Sequence, residues 1–534
     1  MNALDYVIVA AYLLGLLGLG TYFRENDSEG DYFLGGRGFG WFPVALSVMA
    51  TQLSAVSFIS IPAFVGARAG GGMTWVSTEL HTPITMLVLA VFLIPPLYRA
   101  GVISIYAFLE RRIGRPTRRT VGAVFLVNRA LATGTAISAV ALVLEAAVGL
   151  SFASSIAFIG VVTVVYSLLG GMRAVIYGDA AQLIVLLVGI AACGYFGLEA
   201  FGSVGEWRAA VDPARLVAVD TDALGIGGDG EFGLWPLLIG GVFISVAYYG
   251  TDQSEAQRML SAESLPALRR SLVFVGLVRY PVMVLYALVG LVVGPLMLAH
   301  PEHAAEIAET PDRMLPLFMV TYLPHGVIGL IVVAILAAAM SSLSSAINSL
   351  AAVTIEGYVR PWRERRGGEG QGGASAKPLV AASRVASLAW GAVILAVAAT
   401  VTGLNETLAV VIAQIGSLSF GPILAIFVGA IVTPRVRDGY AIGGLAAGVA
   451  LNVYLWLGVG EELFWIWWNV TGFAMTAGVL AAAAVARPRE EVRGGEALDL
   501  RPDYGPFRSW EGWVLVGWFV GMLGVSFAWP WVLG

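Results

Sequence analysis

The chain has 534 residues, of which 58% are hydrophobic and only 13% are charged, and its formal net charge is −5. Soluble domains carry roughly 25% charged residues, so this composition excludes a water-soluble globular protein. A single cysteine excludes an intrachain disulfide, and the four histidines show no metal-ligand spacing. The sequence contains no phosphate-binding loop, catalytic triad or basic nucleic-acid surface, which argues against an ATP-driven pump and against an enzyme.

Apolar stretches of about 20 residues, long enough to cross a bilayer as a helix, recur along the whole sequence. They do not alternate apolar and polar residues, so they predict helices rather than the strands of a membrane barrel. The predicted fold is therefore an all-α polytopic membrane protein. Its fourteen predicted transmembrane helices are, in chain order, 4–23, 41–67, 74–98, 119–148, 152–170, 175–199, 235–256, 271–297, 325–358, 380–403, 406–432, 439–458, 464–486 and 511–533.

The positions of Arg and Lys predict the orientation of these spans, because cytoplasmic loops are enriched in both residues. If the N-terminus lies outside the cell, 25 of the 31 Arg and Lys residues fall in cytoplasmic segments. Only Arg68, Arg208, Arg215 and Arg313 then fall outside. The even number of spans places the C-terminus outside as well.

The second span carries four polar residues near the middle of the membrane: Thr51, Gln52, Ser54 and Ser57. A break in the helix at this point would free backbone carbonyls, which can coordinate Na⁺. The alternative is a continuous helix whose polar residues face its neighbours.

The sixth and ninth spans carry oxygen-bearing side chains at membrane depth. Asp179 lies in the sixth span, and a carboxylate there is costly and usually functional. In the ninth span, Ser341, Ser344 and Ser345 share one helical face, and Ser342 lies beside it. Their oxygens suit a hard cation. The alternatives are small-residue helix packing for the serines and a position at the membrane interface for Asp179.

A further set of polar residues is scattered over or beside the apolar spans. Glu79 and Arg279 are the most informative, because charged residues inside a membrane must pair or line a wet cavity. A purely structural bridge between them is the alternative. The remaining members of the set are Tyr248, Tyr249, Asp252 and Gln414.

Several segments resemble the sodium:solute symporter family, which includes bacterial proline, sialic acid and galactose symporters and animal transporters of glucose, iodide, vitamins and monocarboxylates. The most specific are residues 31–55, 106–114, 170–182, 250–264 and 323–349. The resemblance implies a LeuT-like core of two inverted five-helix repeats. That core would span residues 39–433, with repeats at about 39–200 and 235–433. Residues 1–38 would form a peripheral helix and a cytoplasmic loop, and residues 434–534 three peripheral helices.

The resemblance also implies which residues bind ions and solute. The family's main sodium site, made of backbone carbonyls and serine hydroxyls, matches Ala50, Leu53, Ala338, Ser341 and Ser342. A second sodium site of some members matches Asp179, Ser341, Ser344 and Ser345. The predicted substrate site comprises Gln52, Ser57, Glu79, Ser245, Tyr248, Arg279 and Gln414. The carboxylate-binding Arg of the sialic acid symporter matches Ala132, and Arg129 lies one helical turn away.

These features predict a secondary active symporter of the plasma (inner) membrane that imports a small polar organic solute with one or two sodium ions by alternating access. A sugar-like solute is expected, and a small carboxylate or a vitamin is the alternative. The same residues are compatible with a proton-coupled symporter, in which Asp179 carries the proton, and with a solute-sensing receptor. The expected partners are the solute, sodium and the lipid bilayer, with no nucleic acid and no obligatory protein partner.

Overall fold

The computed structural model describes residues 1–23, 33–228, 230–365, 377–400, 407–485 and 498–533. Within these ranges the chain is helical, and its only β-type pairings are two isolated bridges, Phe39 with Ala262 and Ile226 with Leu463. The helices are α1 Ala3–Tyr22, α2 Trp41–Gln52, α3 Ala55–Gly66, α4 Met73–Arg99, α5 Ile105–Arg112, α6 Arg115–Val148, α7 Phe152–Phe201, α8 Val204–Ala210, α9 Leu234–Thr251, α10 Gln253–Leu260, α11 Leu265–Leu298, α12 Pro301–Glu309, α13 Met314–Tyr322, α14 Val327–Thr354, α15 Arg360–Arg365, α16 Lys377–Thr400, α17 Leu408–Ser417, α18 Phe420–Val432, α19 Asp438–Tyr454, α20 Trp467–Val485, α21 Gly505–Arg508 and α22 Trp510–Leu533.

The all-α prediction is confirmed. Among the described residues, ten helices are long and apolar enough to cross a membrane, and twelve if each bent pair counts as one span. The first and fifth predicted spans correspond to shorter apolar helices, Ala3–Leu19 and Phe152–Val164. The count of fourteen membrane spans therefore stays a prediction, as do the domain boundaries and the orientation.

One predicted connection is not a loop. The sequence predicts separate spans at 152–170 and 175–199, but both lie in the 50-residue helix α7. The residues between them, Gly-Met-Arg-Ala at 171–174, include three good helix formers and no proline. Helical hydrogen bonding therefore continues through the segment.

The helix α14 lies at the centre of the bundle. In its most apolar window 89% of the residues are buried, compared with 22% for α22. The helix is rich in alanine and serine, whose small side chains let neighbouring backbones approach closely. It packs against α7, α6 and α16, so its serines are enclosed by protein rather than by lipid.

Two other helices touch through glycines. A Cβ atom on Gly66 of α3 would lie 2.4 Å from the carbonyl oxygen of Gly290, and one on Gly294 would lie 2.4 Å from the carbonyl oxygen of Gly66. No side chain fits between these backbones. The contact fixes α3 against α11, and both helices carry residues that line the site described next.

Candidate functional site

The second predicted span is broken at its polar centre. Helix α2 ends at Gln52, α3 begins at Ala55, and the two are bent by 54°. Leu53 has φ −92° and ψ 67°, and Ser54 has φ −79° and ψ 175°, so neither residue is helical. In the described part of the chain no backbone amide donates to the carbonyls of Ala50 or Leu53. A continuous helix is therefore excluded, and two carbonyl oxygens at the break have no backbone partner.

The two residues lie next to the serine helix. Ala50, Leu53, Ala338 and Ser341, four of the five residues predicted for the main sodium site, line one small gap. The fifth, Ser342, has a buried hydroxyl oxygen with no hydrogen-bond partner among the described residues. Carbonyl and hydroxyl oxygens are the ligands that a hard cation prefers. The structure thus brings the predicted residues together, and their role as sodium ligands stays a prediction.

Asp179 lies beside this gap and is only 1% exposed, so it is not at a water interface. Its Oδ2 accepts hydrogen bonds from the Ser47 hydroxyl at 2.6 Å and from Nη2 and Nε of Arg258 at 3.1 and 3.3 Å. Its Oδ1 accepts from the Ser341 hydroxyl. Arg258 Nη2 also donates to Ser345 Oγ. The cation that meets Asp179 in this structure is therefore an arginine.

The hydroxyl of Ser344, the fourth residue predicted for the second sodium site, does not hydrogen-bond to Asp179. Its hydroxyl donates to the carbonyl of Ser341 at 3.1 Å, within its own helix. Sequence reasoning missed both Ser47 and Arg258. It missed Arg258 because the distribution of Arg and Lys places this residue in a cytoplasmic segment. The sequence holds one indirect signal: a buried aspartate requires a nearby positive charge.

A cavity of about 290 Å³ is lined by residues of α2 to α6, α9, α11, α14, α17 and α18. Six of the seven residues predicted to bind substrate line it: Gln52, Ser57, Glu79, Ser245, Tyr248 and Arg279. Gln414 does not line the cavity. On α17 the cavity is lined by Ala409, Ile412, Ala413 and Gly416, which share one helical face, and position 414 falls on the opposite flank.

Glu79 and Arg279 form a bidentate salt bridge in the wall of the cavity. Nε and Nη2 of Arg279 donate to the two carboxylate oxygens of Glu79 at 2.6 and 2.9 Å. Nη1 of Arg279 donates to Gln52 Oε1 at 3.1 Å, and the Thr82 hydroxyl donates to Glu79 at 2.9 Å. The side chains of Glu79 and Arg279 are 5% and 12% exposed. Each charge has its partner, so this wall of the cavity is polar without a net charge.

A second and looser ionic pair lies on the same cavity. Arg129 Nη1 lies 3.6 Å from the Asp252 carboxylate and 3.4 Å from the Tyr248 hydroxyl, both at the long end of such contacts. The Nε of Arg129 has no partner among the described residues. Six neutral groups on cavity-lining residues are likewise unpartnered in the described chain: Gln52 Nε2, Trp75 Nε1, Asn128 Oδ1, the Tyr249 hydroxyl, the Ser342 hydroxyl and Trp465 Nε1. Unsatisfied polar groups are rare in native interiors, and here they converge on one space.

Comparison with known proteins gives consistent results. Residues 32–448 match the sequence model of the Sodium:solute symporter family. A putative sodium-dependent multivitamin transporter from Drosophila melanogaster is 29% identical over 86% of this chain and 76% of its own length. A sodium-coupled monocarboxylate transporter 1 from Mus musculus is 30% identical over 86% of this chain and 74% of its own length. A Na⁺-coupled sialic acid symporter, solved in a substrate-bound outward-open state, superimposes with a TM-score of 0.77 at 21% identity, covering 92% of this chain and all of that one.

Proposed function

This chain belongs to the sodium:solute symporter family, and from that premise we propose that it imports a small polar organic solute through the 290 Å³ cavity. It is a sodium-coupled membrane transporter and not an enzyme, and sodium is the co-transported ion. Its core has the inverted-repeat fold of the LeuT type. We further propose that the protein lies in the plasma membrane with both termini outside, as its Arg and Lys distribution predicts.

One observation supports this use of the cavity above the others. Seven polar atoms of the residues that line it lack a partner in the described chain, on Gln52, Trp75, Asn128, Arg129, Tyr249, Ser342 and Trp465. A buried polar atom left unpaired costs about 1–3 kcal/mol, which a bound solute with hydroxyl groups would recover. Small-molecule sites combine an apolar wall with a few converging polar groups in this way.

Coupling to sodium follows from the position of Ser342. Its side chain lines the cavity, whereas Ser341 beside it lines the gap at the helix break. A sodium ion held by the carbonyls of Ala50 and Leu53 would join α2 and α3 to α14 beside the cavity. Ion and solute would thus stabilise the same arrangement of helices, which is the thermodynamic condition for coupled binding.

The charge pattern supports a neutral, hydroxyl-rich solute of the sugar type. The nitrogens of Arg279 donate to Glu79 and Gln52, so Arg279 offers no free pair of N–H donors for bidentate binding of a solute carboxylate. A solute anion would also lie beside Glu79, where a low dielectric enlarges the repulsion. Six of the seven unpartnered wall groups are neutral, which suits the recognition of hydroxyl groups.

A small carboxylate or a vitamin is the second candidate, and Arg129 favours it. Its Nε, which has no partner among the described residues, and its long contact to Asp252 leave part of the guanidinium open to an anion. The related proteins named for multivitamins and monocarboxylates support the same candidate.

The test is a thermal-shift screen of purified protein with sugars, polyols and small carboxylates, in sodium and in choline. For any solute that binds, Tyr249→Phe should weaken affinity by about two- to tenfold, the worth of one neutral hydrogen bond. Tyr286→Phe is the matched control, because its hydroxyl is buried and unpartnered in the described chain but lies off the cavity. Equal effects of the two variants, or binding that is insensitive to sodium, would contradict the proposal.

Arg129→Gln separates the two solute classes. A carboxylate that uses Arg129 would lose about ten- to hundredfold in affinity, since a hydrogen bond to a charged group is worth about 1.5–3 kcal/mol. A sugar would lose less, and Glu79→Gln would weaken its binding at least as much. A protein that binds only carboxylates, and in which Glu79→Gln is harmless, would exclude the sugar-like solute.

A further inference from the structure

Glu255 is an acidic residue that is enclosed in the protein without a hydrogen-bond partner. It belongs to α10, Gln253–Leu260, in which every residue is buried, and Glu255 itself is 0% exposed. Both of its carboxyl oxygens lack a donor among the described residues. Buried polar groups of native proteins almost always have a partner, and a buried charge without one is more costly still. An ionised Glu255 would therefore be a poorly stabilised anion, whereas a protonated Glu255 would carry no charge.

The charged residues around Glu255 do not supply the missing counter-charge. Those that act on its carboxyl group electrostatically are Arg258 and Asp252 at α10, Arg129 of α6 and Arg279 of α11. Each of the three arginines already has a carboxylate of its own, in the pairs Arg258–Asp179, Arg279–Glu79 and Arg129–Asp252. Three positive charges thus meet four carboxyl groups, and Glu255 is the carboxyl group that is left over.

Helices α2, α5, α9 and α14 also pack against α10 and do not change this balance. Three of them, α2, α9 and α14, carry no charged residue. The titratable groups that α9 places near Glu255 are the phenols of Tyr248 and Tyr249. The titratable residues of α5 are all bonded to groups outside α10, and they are Tyr106, Glu110, Arg111 and Arg112. An ionised Glu255 would leave one buried negative charge uncompensated.

We propose that Glu255 is a proton-binding site, which holds a proton in the conformation of this structure and releases it to water when the bundle opens on the side of α10. The proton passes between a carboxyl oxygen and water, so the acid becomes a carboxylate and the water becomes hydronium. With Glu255 protonated, three arginines face three carboxylates and the enclosed charges sum to zero. Neutralisation by a proton is the usual fate of a carboxyl group that is buried without a counter-charge.

Arg129 connects this proton to the solute cavity. It lines the cavity, its Nε has no partner among the described residues, and it lies 3.6 Å from Asp252. An ionised Glu255 would compete with Asp252 for the guanidinium and draw it from its place in the cavity wall. A proton on Glu255 therefore stabilises the arrangement of helices seen here.

Sodium at the helix break would stabilise the same arrangement, so the proposal rests on the sodium coupling described above and adds a proton to it. When two ligands favour one arrangement, each raises the affinity for the other by the same factor. Sodium binding should therefore be accompanied by uptake of a proton, and a higher pH should weaken sodium binding. A competing account leaves Glu255 ionised in the combined field of the three arginines, and it predicts neither effect.

The first measurement is the infrared spectrum of purified protein at neutral pH, in which a protonated carboxylic acid has a carbonyl band that a carboxylate lacks. The wild type should show this band, and Glu255→Gln should lose the intensity of one acid. Glu263→Gln, which changes an exposed acid just beyond the end of α10, is the matched control and should keep the wild-type intensity.

The second measurement uses sodium alone as the probe, added to weakly buffered protein in detergent with a pH-indicator dye and with choline as the blank. Sodium binding should take up as much as one proton per chain in the wild type and in Glu263→Gln, and none in Glu255→Gln. Wild-type sodium affinity should fall by up to about tenfold per pH unit as the pH rises, because one proton is linked to the ion. The affinity of Glu255→Gln should stay constant, since its amide imitates the neutral acid.

A carbonyl band that Glu255→Gln retains in full would overturn the proposal, and so would sodium binding by the wild type without proton uptake. If Glu255→Gln does not fold, Glu255→Leu takes its place, because an apolar side chain needs no partner in this enclosure. A wild type that shows the band but binds no sodium would refute sodium coupling and support the proton on Glu255, so the two failures are distinct.

Discussion

Removing the hydroxyl of Ser342 is the sharpest test of the ion site, because it deletes one atom that takes part in no hydrogen bond among the described residues. The oxygen is buried and has no partner in the described chain. Ser342→Ala therefore breaks no internal hydrogen bond, and the stability of the sodium-free protein should barely change. If the oxygen binds sodium, the loss should appear only when sodium is present.

The expected magnitude follows from the contact that is lost. An interaction between a neutral dipole and a charged group is worth about 1.5–3 kcal/mol, and each 1.4 kcal/mol is about tenfold in affinity. The sodium concentration that gives half of the thermal stabilisation should therefore rise about ten- to hundredfold. The assay is a sodium titration of the unfolding temperature in detergent, with choline added to keep the ionic strength constant.

Ser387→Ala provides a closely matched control. Ser387 is also a buried serine on a helix, α16, with an unpartnered hydroxyl in the described chain, and it lies outside the site. Its sodium titration should superimpose on that of the wild type. If the titration of Ser342→Ala superimposes as well, the hydroxyl does not bind the ion and the proposed arrangement at the helix break is wrong.

Three further predictions follow. Glu79→Gln and Arg279→Gln should each lower the unfolding temperature, because removing one partner leaves a buried charge uncompensated. The double variant should recover part of this loss. Strictly additive losses of unfolding temperature would show that the bridge does not form in the working protein. Gly294→Ala should destabilise the protein by about 1–3 kcal/mol through the clash at the glycine contact, whereas Gly524→Ala, with no atom within 4 Å of its added Cβ, should not. Burial raises the pKa of Glu110, but hydrogen bonds from two arginines outweigh burial and hold this pKa below its ordinary 4.5. The ionised Glu110 therefore stabilises the folded state above pH 4.5, and this stabilisation is lost as the pH falls through the lowered pKa. Glu110→Gln should flatten the acid-side fall in unfolding temperature, and an unchanged pH profile would contradict this assignment.

The sequence predicted the features that depend on local pattern. Apolar run length located the helices, and polar residues at 51–57 located the break, because both follow from what a lipid environment requires of side chains and backbone. The pairing of Glu79 with Arg279 was one of two arrangements that the cost of intramembrane charge left open. The meeting of Asp179 with the serines of α14 followed from their similar depth in the membrane.

Features that depend on tertiary packing were not predictable in the same way. The segment Gln-Ser-Glu-Ala-Gln-Arg-Met-Leu of α10 is polar at 253–258, a pattern typical of the water-facing end of a span. Only the packing of α2, α7 and α14 around it makes it an interior element. The rotation of Gln414 away from the cavity is likewise a matter of helix phase, which similarity between sequences does not determine.

The burial of α10 has a consequence for how the protein is made. Arg258 leaves the ribosome 87 residues before Ser345, and 79 residues after its other main partner, Asp179. Until α14 is synthesised, α10 lacks one wall of its enclosure, and water can take the place of that wall. Completion of this region must therefore wait for the serine helix, so a ribosome that stalls before residue 345 should leave α10 accessible to a water-soluble protease.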